Sequence, residues 1–170
     1  YLILPFLLKN EGELKQIFTP EKNNKFYVYQ NSKFLPKIRI VNDFKIIKTF
    51  RDFERELARS DFNPEKTALL EEKIPLKRNN EPALEKEVII KKFENQIIDT
   101  GIKTNKKSLL IISNLNYPGW QAYLNDKTVK IYTANLNQMA IIIPPGNNKL
   151  KLKFKPSNFK LGIFISMLSQ

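Results

Sequence analysis

Residues 149–155 read Lys-Leu-Lys-Leu-Lys-Phe-Lys. In an extended chain Leu150, Leu152 and Phe154 fall on one face, and Lys149, Lys151, Lys153 and Lys155 on the other. A helix would mix the two sets. The segment therefore predicts a strand with one face in a core and one in water. A lone hairpin is marginal in water, so this strand needs a sheet around it. Pro156 ends it, because proline has no N–H to continue a ladder.

The residues just upstream supply partners. Trp120, Ala122 and Leu124 alternate with Gln121 and Tyr123, and Val129 and Ile131 continue the alternation on the way back. Asn125-Asp126 between them suits a two-residue hairpin turn. Pro118-Gly119 is turn chemistry at the entrance. The phase puts Trp120 in the core with Ala122 and Leu124, so Pro118, Gly119 and Trp120 read as a structural corner. The continuous apolar run at 109–112 fits a central strand buried on both faces. Val88, Ile89 and Ile90 mark another strand. Residues 96–104 form a weaker one, interrupted by Gly101. Met139, Ile141 and Ile143 form one more before the turn Pro144-Pro145-Gly146-Asn147. Short strands at regular spacing predict a sandwich or barrel.

The first half reads as strands with one helix. Strands are expected at 1–4, at 16–18 and 25–29 with a turn between, then at 38–41, 44–47 and 67–70. Thr49 and Asp52 form a capping box, and Phe50, Phe53 and Leu57 recur at helical spacing. Asn63-Pro64 bars any continuation of that helix. The expected fold is mainly β: an antiparallel sandwich, jelly-roll-like, with one short helix over about 49–59 and α+β character in the N-terminal half. A polar stretch at 76–83 reads as a linker or long loop between a lobe at 1–75 and a sandwich lobe at 84–156. Residues 159–168 are apolar but shorter than the roughly 20 residues a membrane span needs. They read as the first turns of a membrane helix within 157–170. Position 1 is Tyr, which fits a section of a longer protein.

Chemistry is limited by what is absent. The chain has no Cys and no His, which removes disulfides, the usual zinc sites and any triad with a histidine base. Its five glycines are widely spaced and form no phosphate-binding loop. The carboxylates are scattered. We expect no catalytic residue, metal or cofactor in this chain. The net charge of +12 suits phosphates, nucleic acid or anionic lipid.

Several strings together resemble one family. They are Tyr117-Pro118-Gly119-Trp120 with Ala122-Tyr123, then Lys127, then Tyr132-Thr133-Ala134-Asn135, then Pro144-Pro145-Gly146. Phe154-Lys155-Pro156 and Phe159-Lys160-Leu161-Gly162 follow. Upstream, Lys25-Phe26-Tyr27-Val28-Tyr29-Gln30-Asn31, Leu35-Pro36-Lys37 and Asp61-Phe62-Asn63-Pro64 keep the same order. This set resembles the C-terminal soluble region of the YfhO family, bacterial polytopic membrane proteins related to C-type glycosyltransferases. Asn125-Asp126 departs from the usual Asp-Gly, and Lys37-Ile38 from a small residue and an aromatic. The resemblance implies a domain on the extracytoplasmic side of a bacterial cell membrane. It also implies a parent that transfers sugar from a lipid-linked donor. In such enzymes the acidic catalytic residues lie near the N-terminus of the full protein, outside this chain.

The expected role is accessory: binding acceptor, glycan or membrane surface. Tyr117, Tyr123 and Tyr132 are the candidates for stacking on glycan. Lys149, Lys151, Lys153 and Lys155 are the candidates for phosphate or lipid. The same lysines also fit an edge strand kept from pairing. Partners would be the membrane, through the rest of the parent chain, and a glycan or polyprenyl-phosphate sugar. The alternative is a basic β module that binds nucleic acid.

Overall fold

The computed structural model describes residues 2–4, 14–18, 26–78 and 85–156. The expected membrane helix at 157–170 and most of the 76–83 stretch lie outside them. The chain divides into two compact units, Tyr1–Pro36 and Lys37–Gln170. In the first, β1 (Leu2–Leu4), β2 (Leu14–Phe18) and β3 (Tyr27–Asn31) form an antiparallel sheet with β3 in the middle. Tyr29 on this central strand is fully buried.

The second unit runs β4 (Ile38–Val41), β5 (Asp43–Ile46), α1 (Phe50–Leu57), β6 (Thr67–Leu70), β7 (Lys86–Phe93), β8 (Ile97–Thr104) and β9 (Ser108–Leu115). It continues with β10 (Trp120–Leu124), β11 (Lys127–Val129), β12 (Tyr132–Ala134), β13 (Gln138–Ile143) and β14 (Gly146–Phe154). Two sheets result. One has the order β11-β10-β14-β8-β7 and the other β4-β9-β13-β12-β6-β5. Strands from before and after the 76–83 stretch share the second sheet, since β4 pairs with β9 and β6 with β12.

Alternation sends side chains into two cores. Ile98, Ile102, Ala122, Leu124, Leu150 and Leu152 from the five-stranded sheet meet Ile38, Ile40, Leu110, Ile112, Met139, Ile141 and Ile143 from the other. That is the sandwich. The opposite face of the second sheet, at Val41, Leu109, Ile111 and Ala140, packs with Phe44, Ala68, Leu70, Tyr132 and Ala134. Residues 109–112 are therefore buried on both faces, as the apolar run predicts. Each such Leu or Ile contributes about 1.5–3 kcal/mol of burial.

The second core exists because the sheet curls. β4 and β5 stand at opposite ends of a six-strand order, yet only Asn42 separates them. Two peptide steps span at most about 7.6 Å. A flat sheet would hold its end strands about 24 Å apart. The chain at 41–43 thus draws the two ends together. β5 pairs in parallel with β6, and α1 makes the crossover between them. This βαβ unit accounts for the α+β character of the first half.

Helix α1 carries the expected cap. The Asp52 amide donates to Thr49 Oγ1 at 3.1 Å, and the Thr49 hydroxyl donates back to Asp52 Oδ2 at 2.7 Å. Its apolar face is only partly used: Phe53 is buried, while Phe50 and Leu57 are exposed. Lys45 pairs with Glu56 of the helix. Arg39 lies buried beside the curl and donates to Pro64 O and Ser113 Oγ at 3.3 Å each, and to Gln138 Oε1 at 3.5 Å. Burial lowers the pKa of this guanidinium.

Two expectations are corrected. β14 is not an edge strand: it lies between β10 and β8. The long edge is β7, with Lys86, Lys91 and Lys92 exposed and a register shift after Ile90. A bulge and lysines are what protects an edge from pairing. Gly101 does not interrupt its strand either, because β8 pairs through it with β14 and β7.

Candidate functional site

The corner at 117–120 is built by close packing. Gly119 has φ +115°, a left-handed value that a side chain disfavours. A Cβ there would also stand 2.9 Å from Phe154 Cε2 and 3.1 Å from Pro156 Cα. The Lys155 amide donates to Gly119 O at 2.7 Å, which ties the corner to the end of β14. Phe154 lies between two aromatic neighbours, with centroids 5.3 Å from Trp120 and 6.5 Å from Tyr117. Such tilted pairs are favourable beyond their buried area. Trp120 packs on the sandwich core but remains half-buried. One side of it belongs to the surface.

That side opens on a groove of about 500 Å³. The groove exists because β11 is short. It pairs with β10 only at Ala122, Tyr123 and Leu124, so β10 has no strand on this side at Trp120 and Gln121. Tyr117, Trp120 and Tyr123 line the groove together with Asn116, Gln121 and Thr128. Tyr117 is 65% exposed. The Tyr123 hydroxyl donates to Gln121 Oε1 at 2.8 Å. Asn116 Nδ2 donates to Thr133 Oγ1 at 2.9 Å, which fixes the residue before the corner. Among the described residues of the lining there is no carboxylate. The arrangement supplies aromatic faces, amides and hydroxyls. It can hold a neutral polar ring by stacking and hydrogen bonding, and it offers no acid–base pair.

Two of the three candidate tyrosines are brought together here. Tyr132 is not. It faces the second core and is 8% exposed, because β12 pairs with both β13 and β6 inside the curl. Lys130 Nζ sits 4.7 Å over its ring. The lysines within β14 alternate as expected and point away from the sandwich core, and Lys155 follows just past its end. Lys151 and Lys153 are half-buried, while Lys149 and Lys155 are exposed. Lys153 Nζ lies 5.9 Å over the Tyr123 ring, so the lysine face adjoins the groove. The tyrosine count alone did not point to Asn116, Gln121 and Thr128. The signal for Gln121 lay in the outward phase it shares with Tyr123.

Two acidic side chains elsewhere are held by arginines. Burial raises the Asp43 carboxyl, but the Arg78 hydrogen bonds, a backbone bond at Phe44 and the charges of Arg78 and Lys45 bring it below its ordinary value. The Arg59 fork lowers exposed Asp61 to about 2. Both ties are structural and lie outside the groove lining.

No helix among the described residues is long and apolar enough to cross a membrane. No curated protein matches the chain, and no solved structure does. The family model for the bacterial membrane protein YfhO matches residues 71–166, more than half of the chain and all of the corner and groove. The chain therefore belongs to the YfhO family of bacterial membrane proteins.

Proposed function

We propose that this chain is an extracytoplasmic domain of a membrane glycosyltransferase and that it holds glycan in the Tyr117–Tyr123 groove. It does not carry out the transfer. The observation that carries the reading is the groove itself: three aromatic side chains, two amides and a hydroxyl around an open stretch of β10. Glycan recognition needs flat apolar faces for the sugar ring and fixed polar groups for its hydroxyls. Trp120 is the only tryptophan, so its emission reports on the groove directly. Titration with chitotetraose, cellotetraose and maltotetraose should shift that emission for at least one of them. Tyr117→Ala and Tyr123→Ala should each weaken binding about tenfold, the loss of roughly 1.4 kcal/mol of aromatic contact; Tyr123→Ala should melt close to the parent chain, and Tyr117→Ala somewhat below it because it also loses the Phe154 ring contact. Saturable binding unchanged in both variants would contradict the reading.

A further inference from the structure

We infer that the outward face of the five-stranded sheet is a docking surface for an anionic lipid membrane. The inference rests on membership of a membrane-protein family and on charge, not on the glycan reading.

Register defines this face. Lys149, Lys151 and Lys153 of β14 oppose Gly101, Asp99 and Ile97 of β8, and Lys103 opposes Asn147. On β7, Lys92 opposes Asp99 and Glu87 opposes Lys103. Five lysines and two carboxylates therefore share the face; Glu94 and Glu85 beside it pair with Lys92 at 3.0 Å and Lys103 at 3.3 Å, so the positive excess lies on Lys149, Lys151 and Lys153 of β14. Along β14 the lysines recur about every 7 Å, and β7 lies about 10 Å from β14. At a screening length near 10 Å the three lysines of β14 act as one positive field.

On β14 the heads stand above the acid beneath them. Asp99 lies between Lys151 and Lys92 in the register, with its side chain 19% exposed against 40% for Lys151 and 44% for Lys92. Lys151 Nζ is 3.9 Å from Asp99 Oδ2, and Asp99 Oδ1 is buried without a hydrogen-bond partner. The carboxylate thus offsets charge from below, while the ammonium groups reach solvent. Ile89, 53% exposed, shares the face, and Tyr123 lies on it opposite Lys151. Ammonium groups with an aliphatic side chain and a tyrosine among them match a headgroup layer. A sheet face has no cleft to select one headgroup, so the partner is the charged surface as a whole.

The test is co-sedimentation of the 170-residue chain with vesicles of phosphatidylcholine, alone or mixed with phosphatidylglycerol. The apolar stretch at 159–168 contributes to both, so the difference isolates charge. Binding should favour the anionic vesicles at about 0.01 M salt and lose that preference at about 1 M, where the screening length falls from roughly 30 to 3 Å. Replacing Lys149, Lys151 and Lys153 by Gln should lower anionic binding about a hundredfold, and replacing them by Arg should preserve it. If the triple Gln variant fails to fold, each single Gln variant should still lower binding about fivefold. Three results would overturn the inference. One is unchanged binding in the Gln variants. Another is an equal loss when exposed Lys48, Lys66 and Lys73 are replaced instead. The third is displacement from the vesicles by single-stranded DNA that binds more tightly.

Discussion

Gly119 meets two demands at once, a left-handed backbone and a side-chain space already taken by Phe154 and Pro156. Gly119→Ala should therefore destabilise by about 2–3 kcal/mol in urea unfolding, more than strain alone would cost. An unchanged midpoint would mean that the corner relaxes at no cost. Trp120 is half-buried, so Trp120→Ala should cost about 2 kcal/mol, less than the roughly 3–5 of a fully buried tryptophan. Period-two phase told correctly that Trp120 packs toward the core. It did not tell that β11 would stop at Val129 and leave the other side of the ring open. That depends on the length of a neighbouring strand, which alternation does not encode. Tyr132 misled for a related reason: the curl of the sheet that covers it is not encoded in alternation.

Among the elements, the hairpin was legible down to its turn. Asn125 and Asp126 take φ of 49° and 64°, the pair of positive values a two-residue turn requires. Asp126→Gly should stabilise the fold by about 0.5–1 kcal/mol, seen as a raised melting temperature; a lowered one would mean that Asp126 makes a contact beyond the turn. The helix cap was equally legible, because a capping box is local chemistry. Strand order was not. The alternation in β14 is the same whether it sits at an edge or between β10 and β8. The tie between Arg78 and Asp43, 35 positions apart, could not be read either. It has a pH signature. The Asp43 carboxyl titrates lower in the folded chain than its ordinary 3.8. Its contribution is thus complete above the unfolded value and is lost as pH falls through the folded one. Urea stability should fall on acidification below about pH 4, and Arg78→Gln should remove part of that dependence. An identical pH profile in Arg78→Gln would show that the pair contributes nothing.

At the scale of the whole molecule, sandwich architecture followed from spaced strands and turns, while the curl and its second core did not. The curl depends on β4 and β5 being one strand broken at Asn42, with each half taken by a different partner. The groove and the lysine face both lie on the five-stranded sheet and meet at Tyr123, under Lys153. A chain without cysteine also allows its side of the membrane to be read by labelling. A single Thr128→Cys in the intact membrane protein, with any cysteine elsewhere in it replaced, should react with an impermeant maleimide on whole cells, and protection until lysis would place the domain inside. Glycan binding in the groove is read residue by residue in an amide and indole NMR titration of the chain with the tetrasaccharide that shifts Trp120 emission. Perturbations should appear at residues 116–123 and 128–131 and at the Trp120 indole, with the second core silent. Perturbations confined to other surfaces, or none at saturating sugar, would contradict binding in the groove.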